Sequence, residues 1–280
     1  NPTLAEACAK RGITFIGPSP AVIRAMGDKI EARKSMIAAG VPVVPGSEKS
    51  LESLEAAVAL ARDIGYPIML KATSGGGGRG IRRCNDEDEL RRGFERVVSE
   101  ATKAFGSAEV FIEKAVVNPR HIEVQVLGDK HGNVIHLFER DCSIQRRHQK
   151  LIEIAPSPQL NEEQRRYVCE LGVRAARAVG YENAGTVEFL LDQQGRFFFM
   201  EMNTRLQVEH TITEQITGID IVQEQIRIAA GAELSSKQQD ISKRGYAIQF
   251  RVNAEDPKND FLPNFGRITR YYAPGGPGVR

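Results

Sequence analysis

Residues 185–203 read GTVEFLLDQQGRFFFMEMN, two runs rich in β-branched, aromatic and aliphatic residues separated by DQQG. An Asp and a Gly in a short polar break between two such runs mark a β-hairpin, so two neighbouring strands run antiparallel here. Upstream, HIEVQVLG and NVIHLFERD are split by the turn-rich DKHGN and read the same way. A long helical pattern, NEEQRRYVCELGVRAARAVG, lies between the two hairpins. Two more helices, at roughly 207–217 and 219–230, and a strand, YAIQFRVNA, follow them. Hairpins in series with flanking helices argue for an α+β fold and against a doubly wound parallel sheet, which weakens any dinucleotide-binding reading.

Towards the amino terminus, TLAEACAKRG is a short helix stopped by Gly12, and ITFIG is expected to be a buried strand. Asp28 can cap a helix over KIEARKSMIAA, with Gly40 just past its end. VPVVPG then reads as an extended connection and a boundary. Between residues 50 and 116 the order is helix, strand (PIMLKA), glycine loop, helix (DEDELRRGFERVVSEATKAFG) and strand (EVFIEKAV), a compact unit of its own.

The 280 residues are enough for about two domains. With 41% hydrophobic and 26% charged residues the composition is that of an ordinary globular protein. Lys and Arg total 38 against 36 for Asp and Glu, so the net charge of +2 suggests no nucleic-acid partner. Cys8, Cys84, Cys142 and Cys169 show no CxxC spacing and read as reduced thiols of a cytoplasmic protein. No apolar run approaches the ~20 residues of a membrane span, and no membrane partner is expected. The chain begins Asn1-Pro2, without Met, and ends APGGPGVR, so it is expected to be a piece of something longer.

Residues 71–80, KATSGGGGRG, join a strand to the next segment. Consecutive glycines leave backbone N–H groups free to fold around phosphate oxygens, and Lys71 and Arg79 add positive charge. A polyglycine stretch is more often a surface linker, and neither the GxxxxGK[ST] nor the GxGxxG pattern is matched. Glu188 lies on one arm of the second hairpin and Glu201 with Asn203 on the other, and the turn lets the arms face each other. One or two carboxylates and an amide, completed by phosphates and water, is how Mg²⁺ is usually held. On an exposed strand such acids would simply be solvated, but the FFFM before Glu201 belongs in a core, where acids need partners.

Arg205 could clamp a planar oxyanion, and Glu209, four residues on, is the right group to take a proton from it. VEHTITEQI looks helical from about Gln207, so the N–H of Val208 would add an anion-binding helix end. His210 reads as structural. The basic stretch SIQRRHQK (143–150) is either a solvated face or, through Gln145, His148 and Lys150, part of a small-molecule site. Arg251, among apolar residues at strand spacing, needs an anionic partner. Lys29 is a candidate from its position after Gly27-Asp28 only.

Taken in order, GDK (27), KATSGGGGRG (71), EKAV (113), ERDCSIQRRHQK (139), GTVEFL (185), EMNTRLQVEH (201), RVNAEDP (251) and APGGPGVR (273) resemble the biotin carboxylase component of biotin-dependent carboxylases. The resemblance covers essentially the whole chain. It implies an ATP-grasp fold with a mobile glycine-loop lid and a larger antiparallel-sheet domain, truncated at both ends. The implied division is 1–43 for the end of the amino-terminal region and linker helix, 44–116 for the lid, and 117–280 for the core and the start of the carboxy-terminal region. It implies an enzyme that uses ATP, Mg²⁺ (or Mn²⁺) and bicarbonate to make carboxyphosphate and then carboxylates biotin on a carrier domain.

By the same resemblance, Lys29, Lys71, Gly77, Gly78 and His148 would bind nucleotide phosphates. Glu113, Lys114 and Val116 would form the adenine hinge, and His121 and Gln145 would lie near the sugar. Glu188, Glu201 and Asn203 would hold the metal, the two acids also lying on the nucleotide side. Lys150, Arg205, Gln207 and the Val208 backbone would bind bicarbonate, with Glu209 as general base and Arg251 stabilising the biotin enolate. The glycine loop would close over ATP and exclude water.

The family's glycine run is often one residue longer, and this chain has no Met-Lys pair of the kind that carries biotin. The implied partners are therefore a separate biotin carboxyl carrier domain, a carboxyltransferase of the pyruvate or acyl-CoA type, and a second copy in a homodimer. Two other readings stand beside this one: an ATP-grasp ligase with a different amine acceptor, and a non-catalytic nucleotide-binding module. Arg251 speaks against the former, and the complete set Glu188, Glu201, Asn203, Arg205 and Glu209 against the latter.

Overall fold

The computed structural model describes residues 2–73, 80–105, 109–147 and 149–280. Three helices, α1 (Thr3–Lys10), α2 (Pro20–Gly27) and α3 (Lys29–Ala38), lead in. Asp28 caps α3 by accepting hydrogen bonds from the N–H groups of Ile30 and Glu31. Next come α4 (Leu54–Ile64), β1 (Ile68–Ala72), β2 (Ile81–Cys84), α5 (Glu87–Phe105) and β3 (Val110–Lys114). These three strands form an antiparallel sheet in the order β2-β1-β3. Ala57, Val58 and Ala61 of α4 and Leu90 and Val97 of α5 bury one of its faces, packing on Ile68, Leu70, Cys84, Val110 and Ile112.

The rest of the chain builds β4 (Arg120–Gly128), β5 (Val134–Arg146), β6 (Gln149–Ala155), α6 (Glu162–Ala178), β7 (Asn183–Leu191), β8 (Phe197–Asn203), α7 (His210–Thr217), α8 (Ile221–Ala229) and β9 (Ala247–Phe250). The second sheet has the order β8-β7-β4-β5-β6-β9, and every neighbouring pair is antiparallel. The two hairpins read from the sequence are β4-β5 and β7-β8, and the α+β class follows from them.

Side chains alternate across this sheet. Ile122, Val124, Val187 and Phe189 point into a core closed by Val168, Leu171 and Ala175 of α6 and by residues of α2 and α3. The opposite face is apolar where α7 and α8 cover it, with Ile212 packed near Ala155 and Ile221 near Leu127 and Leu137. Elsewhere that face carries Glu123, Gln125, Arg140, Thr186 and Glu188, all buried.

The proline-rich connection at 41–46 is bonded to both sheets. Phe199 N donates to Pro42 O at 2.7 Å, and Lys114 N donates to Pro45 O at 2.7 Å. A β-carbon on Gly46 would stand 2.4 Å from the carbonyl oxygen of Ile112, so only glycine lets this segment lie against β3.

Several elements differ from the sequence reading. ITFIG is not a buried strand: Ile13 and Ile16 are 57% and 49% exposed, and no described strand pairs with it. An apolar run becomes a strand only where an edge is available. Helix α2 was not anticipated, although Ser19 as cap and Pro20 in the first turn are its signals. Strand β2 was missed because IRRC is short and half charged. SIQRRHQK is no single patch but the β5-β6 hairpin, turning at Arg147, whose φ is +51°. Helix α7 starts at His210, not at Gln207.

Gly172 marks a close helix-to-sheet contact. A β-carbon there would meet Val124 Cγ1 at 2.7 Å and Cβ at 2.9 Å, on a strand residue with little rotamer freedom. Gly172→Val is therefore expected to cost about 1–3 kcal/mol by overpacking. An unfolding midpoint unchanged in urea would show that α6 can shift away.

Candidate active site

Strand register lines up ionisable groups across the buried polar face. Glu201 on β8 stands opposite Glu188 on β7, Glu188 opposite Glu123 on β4, and Glu123 opposite Arg140 on β5. Like charges facing each other on neighbouring strands repel, so this row needs cations. Arg140 supplies one from a fully buried position. Its Nε donates to Glu123 Oε1 at 2.6 Å and its Nη1 to Gln125 and Thr213, both at 2.8 Å. Its Nη2 donates to Thr186 at 3.3 Å and to Gln207 Oε1 at 3.1 Å.

Lys150 supplies the second cation. Its ammonium donates to Glu123 Oε2, to Glu188 Oε1 at 2.9 Å and to Glu209 Oε1 at 2.7 Å. Burial disfavours this charge, but Glu123 and Glu188 outweigh it and hold Lys150 well above the ordinary lysine range. Conversely, burial raises the Glu188 carboxyl, yet His121 and Lys150 prevail and keep it well below the usual range. Glu209, 2% exposed, spends both oxygens on cations, accepting from Lys150 through Oε1 and from Arg251 Nη2 through Oε2 at 2.7 Å.

The β8 end of the row is less well balanced. Burial, then the charge of Glu188, raises the Glu201 pKa. Among the described residues its hydrogen bond is a 3.4 Å contact from Asn203 Nδ2, which also donates to Glu188 Oε1 at 2.9 Å. The under-compensated Glu201 carboxylate, with Glu188 and an amide beside it, offers hard oxygen donors that suit a divalent cation such as Mg²⁺ or Mn²⁺. Asn203 would present Oδ1 to it by turning its amide over, a soft torsion. The donor atoms of His121, Glu123 and Glu188 also lie within 4.8 Å of one another, but these carboxylates are already matched by Arg140 and Lys150.

Beyond Glu201 the charge turns positive, where the two sheets approach. Lys29, at the start of α3, has its pKa lowered by burial and then by Lys71, with Glu201 acting against this. Two lysine ammoniums this near each other form a natural seat for an anion. Lys71 pairs with Glu113 on β3, whose other oxygen lies 3.4 Å from Arg33 Nη1. Lys114 turns away, donating to the carbonyls of Gly65 at 3.0 Å and Tyr66 at 2.8 Å, and Val116 follows in the half-buried stretch after β3. His121 shares Nε2 with Glu188 Oε2 at 2.7 Å, and Gln145 Nε2 lies 2.7 Å from its Nδ1. Gly77, Gly78 and His148 lie outside the described residues.

The structure thus brings together Lys150, Glu188, Gln207, Glu209 and Arg251, with Glu201 and Asn203 alongside. It does not bring in Arg205, whose exposed side chain bonds to Leu206 O at 3.3 Å; Val208, expected to act through its backbone N–H, turns its side chain to solvent. The alternation of EMNTRLQVEH ends with β8 at Asn203, so of its later residues only some, Gln207 and Glu209 among them, return to the site. Gln207 is buried, accepting from Arg140 and donating to Glu188 at 2.9 Å. Sequence reasoning missed Arg140, Glu123 and Glu153. The available signal was an ERD triplet inside an apolar strand, where a buried arginine demands an acid on the paired strand.

Residues 28–237 match the family described as carbamoyl-phosphate synthase L chain, ATP binding domain, and residues 249–280 match the biotin carboxylase C-terminal domain. The chain is 58% identical, over its full length and 59% of the relative's, to the 2-oxoglutarate carboxylase small subunit of Hydrogenobacter thermophilus. It is 56% identical to a pyruvate carboxylase subunit of Methanothermobacter thermautotrophicus, of which it covers 57%. The biotin carboxylase domain dimer of the Hydrogenobacter enzyme, solved with MgADP, ADP and bicarbonate, superposes with a TM-score of 0.95 at 58% identity, over 99% of this chain and 61% of that one. The chain spans about three fifths of the length of these relatives.

Arg140→Lys keeps the charge but not the fork, so Gln125, Gln207 and the two threonines lose donors. A loss of about 2–4 kcal/mol in urea unfolding is expected for leaving such buried acceptors unpaired. The raised pKa of Glu201 has a definite sign. Its ionised form costs stability at neutral pH, and the cost disappears as pH falls through the raised value towards the ordinary 4.5. With chelator present, Glu201→Gln should therefore melt higher than the parent at pH 7, with the gap closing towards pH 4.5. Added Mg²⁺ should stabilise the parent only; equal stabilisation of both would place the cation elsewhere.

Proposed function

Because the chain belongs to the biotin carboxylase family of the ATP-grasp superfamily, we propose that it carboxylates biotin on a carrier domain at the expense of ATP and bicarbonate. The observation that carries this reading is the grip of Lys150 and Arg251 on the Glu209 carboxylate, at one end of a polar face whose other end holds the acid pair and the two lysines.

In this reading Lys29 and Lys71 bind nucleotide phosphates, joined by Gly77, Gly78 and His148. Glu113, Lys114 and Val116 border the base, and His121 and Gln145 the sugar. Glu188, Glu201 and Asn203 hold Mg²⁺, which neutralises charge on the phosphate oxygens. Bicarbonate binds to Lys150, Gln207 and the Val208 N–H, with Arg205 swinging in from solvent. An anion there replaces Glu209 as a partner of Lys150, freeing the carboxylate to take the bicarbonate proton. The resulting oxyanion attacks the γ-phosphorus, giving ADP and carboxyphosphate, and the work of the protein is positioning and charge neutralisation. Carboxyphosphate then yields CO₂ and phosphate; the released phosphate takes the N1 proton of biotin, Arg251 stabilises the resulting enolate, and N1 takes up the CO₂.

The division into 1–43, 44–116 and 117–280, with the middle segment as lid, belongs to the same proposal. So do a cytoplasmic location, a homodimer, and partnership with a carboxyl carrier domain and a carboxyltransferase. Among the described residues no helix is long and apolar enough to cross a membrane. The names of the relatives, 2-oxoglutarate carboxylase and pyruvate carboxylase, favour a 2-oxo acid over an acyl-CoA as final acceptor.

The test is ADP release with MgATP and bicarbonate, with and without free biotin. Stimulation by biotin that requires bicarbonate is expected; turnover indifferent to biotin would point to another ligase of the superfamily. Glu209→Gln should lower that turnover by at least about 100-fold, while nucleotide binding persists. Retention of turnover would remove Glu209 as the base.

A further inference from the structure

Glu153 is a buried acid that the mechanism above does not use. It sits on β6, paired in register with Gln249 of β9, and is fully buried. Its Oε1 accepts from Arg251 Nε at 2.7 Å, while its Oε2 has no hydrogen-bond partner among the described residues. Burial pushes its pKa up and Arg251 pulls the other way. A half-satisfied carboxylate in a closed pocket is unfavourable unless its one strong contact serves a purpose.

That contact fixes a single guanidinium. Arg251 uses Nε on Glu153 and one Nη2 proton on Glu209, and Nη1 makes no hydrogen bond among the described residues. The two acids differ in what they can do next. Glu209 faces Lys150 and the anion pocket, whereas the buried Glu153 carboxylate is bonded, among the described residues, to Arg251 alone. The Arg251 backbone is tied to the same strand, its N–H donating to Leu151 O at 2.9 Å. When Glu209 turns to bicarbonate, Glu153 remains as the anionic partner that keeps Arg251 from following it.

We infer that Glu153 is the positioning residue for Arg251, holding the guanidinium from its Nε side so that the Nη groups stay directed at the ureido oxygen of biotin during carboxyl transfer. The inference rests on the biotin carboxylase reading and assigns Glu153 to the biotin half of the cycle, not to ATP cleavage.

Three proteins test it: the parent, Glu153→Leu, which removes the acceptor at similar volume, and Glu153→Gln, which keeps an oxygen for Nε. ADP release is measured with MgATP and bicarbonate across a range of free biotin, next to thermal unfolding and the protection of the Arg251 Nε–H in NMR hydrogen exchange. For Glu153→Leu, biotin-dependent kcat should fall about tenfold with biotin KM little changed, as for a contact made in the transition state. The biotin-independent rate should stay within about twofold. Glu153→Gln should recover most of the loss, and Nε–H protection should disappear in the Leu variant alone.

A parallel fall of both rates together with the melting temperature would show that Glu153 only joins β6 to β9, and would overturn the inference. Unchanged Nε–H protection in the Leu variant would overturn it even if that variant were poorly active. Absence of biotin stimulation in the parent itself would instead remove the function on which the inference rests.

Discussion

The ammonium of Lys150, surrounded by the carboxylates of Glu123, Glu188 and Glu209, is the interaction on which the rest of this structure depends. Taking these acids out of water is costly, and their repulsion across adjacent strands adds to the cost. Lys150 and Arg140 offset both terms. Together they connect β4, β5, β6 and β7 with the segment leading to α7, and Thr213 brings in that helix as well. The strands whose backbones form the sheet are therefore locked a second time by side chains on its polar face. Removal of Lys150 would take a cation from three buried acids at once, and removal of Arg140 would deprive Glu123 of its second cation and four neutral acceptors of a donor.

The apolar face makes this possible. Because α6 closes tightly on β4 through Gly172 and also covers β7, and α2 and α3 close on β8, the alternating residues on the far side are held in one register. A slip by one residue would turn Glu188 into the core and Val187 into the site. Core packing thus determines which carboxylates face one another, and from that follows where charge is balanced and where it is not. Around Lys150 the balance is complete, while at Glu201 it is incomplete and at Lys29 and Lys71 the sign reverses. A gradient of this kind suits a metal-bound polyphosphate at one end and a small anion at the other.

Much of this was legible in the residues. The turns DQQG and DKHGN gave away both hairpins, because Asp and Gly adopt turn geometries that the flanking aromatic and β-branched residues avoid. The hairpin placed Glu188 and Glu201 on facing arms, but equal arms would set Glu188 opposite Met200; the register shift between Glu188 and Phe189, which no turn signal announces, brings Glu201 there instead. ITFIG misled for a related reason, as apolar character marks a segment as able to pair without saying that an edge exists beside it. The helical reading of VEHTITEQI erred only at its start, where helix ends are weakly specified by pattern.

Local pattern, then, determined the antiparallel hairpins, the capped helices and the chemical types gathered at 201–210, because turns, caps and alternation are short-range effects of backbone sterics and hydrogen bonding. Only the tertiary structure decided that Arg140 is the buried hub, that Lys150 reaches across to three acids on separate segments, and that Glu153 shares Arg251 with Glu209. These depend on contacts between residues far apart in the chain, such as Glu153 with Arg251 or Arg140 with Thr213. Coulombic balance in a desolvated pocket is a property of the whole cluster, and no single segment of sequence contains it.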